Sequence, residues 1–144
     1  MEYEIRECRV EDVEAIWRLN CAQMGYVISL EPAKENLVRL LSNGAHKILV
    51  AEMHGNVVGY VHANDYDLLY YPHMKNIMGI AVDEAYKKHG IGKALISTIE
   101  TWAKDTGAVA VRLVSGAERT DAHAFYEKCG YTGGKKQINF KKIL

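Results

Sequence analysis

The chain has 144 residues, 49% of them hydrophobic, and its 18 basic side chains balance 18 acidic ones. A chain of this length predicts one globular domain whose core needs neither disulfides nor a metal. No apolar run approaches the roughly 18 residues of a membrane-spanning helix, and the acidic start is unlike a secretion signal. We therefore expect a cytoplasmic protein without a membrane partner. The zero net charge predicts no nucleic-acid partner.

Cysteine and histidine spacing argues against the common metal and disulfide frameworks. The three cysteines, Cys8, Cys21 and Cys129, are odd in number and contain no CxxC pair. The six histidines form no helical metal-binding pair with an acidic residue. The sequence therefore predicts reduced thiols and no metal site.

The N-terminal third is predicted to form a strand and two helices. Residues 3–8 alternate apolar and charged side chains, as in a half-buried strand. From Glu11 onward, apolar residues recur at three- and four-residue steps behind acidic residues that favour a helix N-terminus. A second helix is expected to contain Pro32 in its first turn and to end at Ser42-Asn43-Gly44.

A hairpin and a loop are predicted next. Residues 47–53 and 57–63 have strand composition and are joined by His54-Gly55-Asn56, a turn sequence. The tyrosine-rich stretch 64–74 contains Pro72 and shows no clean period, which we interpret as a loop with strand ends.

A strand-helix-strand crossover is predicted in the middle of the chain. Ile77 to Val82 is nearly continuously apolar, as in a central strand covered on both faces. The polar turn 83–92 leads into an amphipathic helix that Gly107 ends, and residues 108–114 form a second apolar strand. The two strands of such a unit are parallel.

The last third is predicted to supply a helix around residues 122–129, ended by Gly130, and a terminal strand pair over 131–144. The sequence contains no linker, repeat or low-complexity block. It therefore predicts a single α/β unit.

The turn between the central strand and its helix is a candidate anion site. A helix N-terminus presents main-chain amides without internal partners, and Gly90 and Gly92 allow a phosphate to approach them. Three lysines add positive charge around the turn: Lys87, Lys88 and Lys93. The alternative is an ordinary turn whose lysines are merely solvated.

Two familiar phosphate motifs do not match this turn. A Rossmann fingerprint requires a glycine where Leu95 stands, and a Walker loop requires a glycine at Lys87 and a hydroxyl residue at Ala94.

Two motifs together resemble those of the GCN5-related N-acetyltransferases. The turn Lys87-Lys88-His89-Gly90-Ile91-Gly92 is similar to the family's R/Q-x-x-G-x-G/A signature for the pantetheine diphosphate. The segment from Ala122 to Tyr131, AHAFYEKCGY, is similar to the family's A-x-x-F-Y-x-x-x-G-F/Y pattern. The order of predicted elements also fits, so the resemblance covers essentially the whole chain.

The resemblance implies a fold and a co-substrate. The fold is the α/β acyl-CoA N-acyltransferase fold, a single domain over residues 1–144 with a mixed central sheet splayed at its parallel strands and about four flanking helices. Acetyl-CoA would enter the opening, pair with the strand that carries Ile80 and Val82, and place its diphosphate on the amides of His89 to Ala94. The cofactor-binding residues implied are Ile80, Ala81, Val82, Lys87, Lys88, His89, Gly90, Ile91, Gly92, Lys93, Ala94, Arg119, Ala122 and Tyr126.

Two positions depart from the family pattern. Lys87 replaces the usual Arg or Gln, which keeps a donor but loses bidentate geometry. Arg119 stands where many members have an Asn beside the cofactor, so that side-chain contact is not expected to be the usual one.

Tyr126 is the catalytic candidate that the resemblance implies. In the family, the corresponding tyrosine protonates the departing CoA thiolate. A phenol with a pKa of about 10 stays protonated at pH 7 and can donate as a thiolate of pKa about 8.5 develops. The alternative follows from periodicity, since Tyr126 shares a core-like stripe with Ala122, Phe125 and Cys129.

The implied reaction is direct transfer of acetyl from acetyl-CoA to a primary amine, of a small molecule or a peptide, in a ternary complex. The amine must be neutral to attack, and many relatives place a glutamate where Met78 stands, so the general base is unassigned. The candidates are Asp65, Asp67, His62 and His73.

Several alternatives stay open. The acidic and aromatic stretch Asn64 to Tyr71 could line an amine pocket with Gln23-Met24-Gly25-Tyr26, or could be a packed loop or a dimer contact. The protein is expected to be a monomer or a homodimer. Met78 also allows a non-catalytic coenzyme-A-binding or regulatory module, and an unrelated phosphate-binding protein could use the same turn.

Overall fold

The computed structural model describes residues 2–25 and 28–144, and only the main chain of Met24. The described residues form two units, one ending at Leu113 and the other beginning at Val114.

The first unit contains a five-stranded sheet in the order β1-β2-β3-β4-β5. Neighbouring strands are antiparallel except β4 and β5, which are parallel as predicted for the crossover. The strands are β1 (Glu4–Glu7), β2 (His46–Met53), β3 (Asn56–Leu68), β4 (Tyr71–Val82) and β5 (Val111–Leu113).

Of the four α-helices in the described residues, three belong to the first unit and one to the second, in agreement with the expected number. They are α1 (Val13–Leu19), α2 (Leu30–Leu41), α3 (Ile91–Asp105) and α4 (Thr120–Lys128). A 3₁₀ turn precedes α1, and a π-helical stretch, Asn20–Met24, continues it. Within the described part of the chain, no helix has the length and apolar character that crossing a membrane requires.

The hairpin between β2 and β3 forms as predicted. Its two turn residues, His54 and Gly55, have φ angles of 52° and 80°. Positive φ at both positions is what a type I′ turn requires, and this turn matches the twist of antiparallel strands.

The predicted loop over residues 64–74 is wrong, because most of it is strand. β3 continues to Leu68 and β4 begins at Tyr71, so a second hairpin occupies this stretch. Its polar residues pair across the strands: Lys75 is only 2% exposed, and its Nζ lies 2.5 Å from Oδ1 of Asp65. Buried polar residues with partners hide the strand periodicity from a hydropathy pattern.

Two other strand predictions also need correction. Residues 131–144 contain no strand or helix, so the predicted terminal strand pair is absent. The central strand predicted over Ile77 to Val82 is the second half of β4, but it is not covered on both faces, since Met78 is 54% exposed.

The sheet is covered by helices on two sides. On one side, α1 and α2 pack through Leu19 and Leu37 against Val50, Tyr60 and Ala81 of the sheet. α3 contacts β2, β3 and β4 and has more buried residues than any other described helix. Its fully buried side chains are Ile91, Leu95, Ile96 and Ile99. This burial fixes the start of α3 at the carboxyl end of β4.

A buried ion-pair network ties β1 to the start of α1. Arg6 donates two hydrogen bonds to the carboxylate of Asp12, at 2.8 and 2.9 Å, and also pairs with Glu52. Burial alone would raise the pKa of Asp12, but the hydrogen bonds from Arg6 and from the main-chain amide of Arg9 outweigh it and hold the pKa below its usual value.

Candidate functional site

The carboxyl half of β4 lacks a strand partner on one edge. β5 pairs only with Lys75, Asn76 and Ile77, and its last pair joins Ile77 to Leu113. Among the described strand pairings, none continues along that edge to Ile80, Ala81 or Val82. Main-chain amides and carbonyls that point to this edge are therefore free of sheet hydrogen bonds.

A bulge in β4 lies where the unpaired edge begins. His62 of β3 pairs with Gly79, and the next residue, Ala63, pairs with Ile77, so Met78 has no partner in the register. The Met78 sulfur accepts a hydrogen bond from Nδ2 of Asn76 at 3.0 Å. The residue at the position of the family's frequent glutamate is thus an apolar bulge residue.

The turn after β4 presents main-chain amides at the start of α3. Lys88 and Gly90 have φ angles of 68° and 81°, the left-handed region. The Ala94 amide donates to the Gly90 carbonyl at 3.0 Å, which is the first hydrogen bond of α3. The amides of Ile91, Gly92 and Lys93 precede this bond and are those that a helix leaves unpaired.

The side chains around this turn differ in what they can offer. The Nζ atom of Lys87 lies 2.9 Å from Oε2 of Glu84, so part of its charge is already neutralised. Lys88, His89 and Lys93 are exposed. Ile91 is 1% exposed and packs in the core, so it can contribute only its main chain.

Two residues that position this turn escaped the sequence analysis. A Cβ atom on Gly59 would lie 3.2 Å from the Ala81 carbonyl and 3.4 Å from the Ile91 side chain, so its absence lets α3 approach the sheet. A glycine inside a strand pattern is the available signal for such close approach. The hydroxyl of Tyr3 donates to the Gly90 carbonyl at 3.3 Å, a contact without a sequence signal.

The other predicted residues lie together on α4, in the second unit. Arg119 is the N-cap residue, Ala122 lies in the first turn and Tyr126 at the end of the second. Tyr126 is half-buried, and its ring centroid lies 5.4 Å from that of Phe125. Burial raises the pKa of Tyr126, while the charge of Arg119 opposes the rise. No residue of α4 is fully buried, so the core-like stripe is only partly a core face.

The four candidate bases have different surroundings. Asp65 pairs with buried Lys75, whose Nζ lies 4.1 Å from the Trp102 ring centroid. His73 and Asp67 form a pair at 2.6 Å. His62 lies apart from these three, beside His46.

Side chains of the aromatic and acidic stretch, Asn64 to Tyr71, contact other residues of the protein. The Arg112 guanidinium lies 4.2 Å from the Tyr66 ring centroid. Tyr26, from the other half of the predicted amine pocket, lies outside the described residues.

Comparisons with known proteins agree with the two motifs. A model of the acetyltransferase (GNAT) family matches residues 13–131. The chain is 27% identical to an aminoalkylphosphonate N-acetyltransferase of Salmonella typhimurium, with 96% of this chain and 88% of that protein covered.

Solved structures share the fold across nearly the whole chain. A transcriptional regulator from Bacillus halodurans superposes with a TM-score of 0.89 at 19% identity, covering 98% of this chain and all of the other. The aminoglycoside acetyltransferase AAC(6')-Iy, solved with a bisubstrate analogue of CoA, superposes with a TM-score of 0.88 at 17% identity over the full length of both chains. Since the family model spans most of the sequence, the chain belongs to the acetyltransferase (GNAT) family and is an acetyl-CoA-dependent N-acetyltransferase.

Proposed function

We propose that acetyl-CoA binds along the unpaired edge of β4, with its diphosphate on the turn at the start of α3, and that a primary amine attacks the thioester directly. The acceptor belongs to a small molecule or a peptide. The cofactor contacts proposed are the main chain of Ile80 to Val82 and the segment Lys87 to Ala94. Arg119, Ala122 and Tyr126 of α4 complete the set.

One observation carries this proposal: the described strand pairing between β4 and β5 stops at Ile77 and Leu113, which leaves one edge of Ile80 to Val82 unpaired ahead of the turn at the start of α3. An unpaired strand edge suits an extended ligand with alternating amide groups, and the helix N-terminus suits its diphosphate. The pantetheine arm of CoA has this shape. A simple nucleotide would use only the turn.

Tyr126 is proposed as the general acid. As the amine nitrogen bonds to the acetyl carbon, the carbon–sulfur bond breaks and the phenol proton passes to the sulfur. The raised pKa keeps this phenol protonated at pH 7, which suits a donor. The phenolate then recovers a proton from the amine side of the reaction or from solvent, so no covalent enzyme intermediate is needed.

The two units are proposed to act as one catalytic domain over residues 1–144, because the family match runs without a break from residue 13 to residue 131. Two of the proteins named above are an aminoalkylphosphonate and an aminoglycoside acetyltransferase, which supports a small-molecule acceptor for this chain. A cytoplasmic location, where acetyl-CoA and reduced thiols occur together, stays a prediction.

The experiment has two measurements on the purified chain. Calorimetry compares binding of acetyl-CoA with binding of AMP, and thiol release from acetyl-CoA is followed with a panel of amines. We expect acetyl-CoA to bind at least 10-fold more tightly than AMP, and thiol release to depend on the amine.

Equal affinity for AMP would show that the β4 edge is not used. Tight acetyl-CoA binding without thiol release for any amine would instead favour a non-catalytic coenzyme-A-binding module, which the apolar Met78 makes the main rival.

A further inference from the structure

A pocket of about 170 Å³ lies between α1, α2 and the sheet, separate from the β4 edge and the α3 turn. Its walls are mostly apolar, with Ile16, Leu37, Leu40 and Ile48 among the lining residues. Ile28, which also lines it, is 37% exposed. We refer to this space as the helix-sheet pocket.

The polar lining residues of the helix-sheet pocket include Tyr60 and His62 of β3 and Asn20 of the π-helical stretch. The Tyr60 hydroxyl donates to Oδ1 of Asn20 at 2.5 Å. Nε2 of His62 lies 2.9 Å from Nδ1 of His46, so the N–H of one ring donates a hydrogen bond to the other ring. Among the lining residues that the structure describes, none is an acid, a lysine or an arginine.

Gly79 connects these polar groups to the unpaired edge of β4. It is the register partner of His62, so the two residues lie directly opposite each other on neighbouring strands. A Cβ atom on Gly79 would lie 3.4 Å from the Tyr60 hydroxyl. Gly79 has no side chain. It therefore places no side-chain atom between Tyr60 or His62 and the strand that is proposed to bind the cofactor.

We propose that the helix-sheet pocket holds the acceptor and that His62 is the general base for its amine, with His46 positioning the His62 ring. This inference rests on the proposed function, because it places the acceptor next to the acetyl group. The neutral amine forms the nitrogen–carbon bond while its N–H proton passes to Nδ1 of His62, the ring nitrogen outside the His46 contact. The carbon–sulfur bond breaks, and the sulfur takes its proton from Tyr126. His62 then loses the proton to solvent through His46.

The titration state of His62 is compatible with this role. Burial, with a smaller contribution from His46, lowers the pKa of His62 to about 4, so the ring is neutral at pH 7. Such a ring is a weak base, but an amine nitrogen becomes strongly acidic once it has bonded to the acetyl carbon. Among the described lining residues, the other titratable group is Tyr60 on β3, since the lining residues from α1, the π-helical stretch and α2 have no titratable side chain.

The pocket also predicts the chemical class of the acceptor. A cavity of about 150 Å³ is known to hold benzene, so this space suits an amine with one ring or a short chain. Without a lysine or arginine in the lining, the carboxylate or phosphonate of an acceptor would have no counter-charge there. We therefore expect phenethylamine to be preferred at least 10-fold in kcat/KM over aminoethylphosphonate and over kanamycin.

Substitution of His62 tests the base. His62→Gln should lower kcat for phenethylamine at pH 7 by about 100-fold, the usual contribution of a general base. Its KM and its acetyl-CoA Kd should stay within about threefold of those of the unsubstituted protein. Added imidazole should restore part of the turnover of His62→Ala, and His46→Asn should shift the acid limb of the kcat profile to higher pH. The matched control is His54→Asn, an exposed turn histidine that should leave kcat unchanged.

Filling the pocket tests where the acceptor binds. Ala33→Phe places a ring into the lining, whereas Val38→Phe adds the same ring to an exposed position of α2. We expect Ala33→Phe to raise the phenethylamine KM at least 10-fold with an unchanged acetyl-CoA Kd, and Val38→Phe to change neither.

The outcomes separate this inference from the proposed function. If the unsubstituted protein acetylates amines but His62→Gln retains its kcat, His62 is not the base. If Ala33→Phe leaves every KM unchanged, or if aminoethylphosphonate is preferred, the acceptor does not bind in the helix-sheet pocket. A protein that releases no thiol with any amine contradicts the proposed function itself.

Discussion

Tyr126 shows how burial prepares a side chain for its proposed role. Its phenol is half-buried on α4, and this burial raises its pKa above the usual value of about 10. A group in this state is protonated throughout the neutral range, so it can donate to a developing thiolate. The charge of Arg119 opposes the shift, so the pKa rises less than burial alone would raise it.

Replacement of Tyr126 by phenylalanine tests whether the phenol proton takes part in the reaction. Tyr126→Phe should lower kcat by about 100-fold or more, because it removes a general acid while retaining the ring. The acetyl-CoA Kd should change less than about twofold, as checked by calorimetry. In the unsubstituted protein, activity should show no loss from phenol ionisation until the pH exceeds about 10. Equal turnover in the variant would remove Tyr126 from the mechanism.

Asp12 illustrates a charge that serves the fold rather than the reaction. Its carboxylate is nearly buried, with two hydrogen bonds from Arg6. Asp12→Asn should lower the free energy of unfolding by about 2 kcal/mol in urea denaturation, since Arg6 keeps only Glu52 as a charged partner. The control, Glu14→Gln, breaks an exposed pair with Arg18 and should cost less than about 0.5 kcal/mol.

The pH dependence of stability provides a second check on Asp12. Because its pKa is lower in the folded than in the unfolded state, its stabilisation is complete above about pH 4 and is lost as the pH falls through the folded pKa. Stability of the unsubstituted protein should therefore fall below pH 4 more steeply than that of Asp12→Asn. Parallel curves would contradict the lowered pKa.

At the scale of elements, the regular helices and the first hairpin could be predicted from the sequence. The apolar stripe and the glycine at position 107 predict α3, and the glycine turn predicts the hairpin between β2 and β3. These elements are defined by local periodicity and turn chemistry, which a single sequence contains.

The errors occur where distant partners decide the structure. Residues 64–74 extend β3 and β4 because Lys75 pairs with Asp65 and lies over the Trp102 ring. No local sequence pattern shows these contacts. The bulge at Met78 and the close approach at Gly59 likewise depend on the neighbouring strand and helix. Conversely, residues 131–144 have a strand-like pattern but form no strand.

The start of α3 can be tested as an element. Gly92→Trp should weaken acetyl-CoA binding at least 100-fold, because the indole would occupy the space that the diphosphate needs beside the free amides. Ser97→Trp adds the same ring at an exposed position of α3 and should leave the Kd unchanged. Circular dichroism would verify that both variants fold, and an unaltered Kd for Gly92→Trp would exclude the turn as the diphosphate site.

At the scale of the whole molecule, the family match extends across both units, from residue 13 to residue 131. A ligand that binds only the folded chain stabilises it by mass action, by about 2.7 kcal/mol at 100 times its Kd. Acetyl-CoA at that concentration should therefore raise Tm by about 9 °C in a thermal melt. AMP at the same concentration should raise it less, and an equal shift would contradict recognition of the pantetheine arm.

The early end of the pairing between β4 and β5 also determines which substitutions can test the proposed acetyl-CoA site. A ligand held by peptide groups does not depend on the side chains of the strand that binds it, so alanine substitutions of Ile80 and Val82 would leave the proposed contact unchanged. Natural variation at these positions would be equally uninformative. Because the proposed site consists of main-chain groups, an amide-to-ester replacement in the backbone is the change that would reveal it.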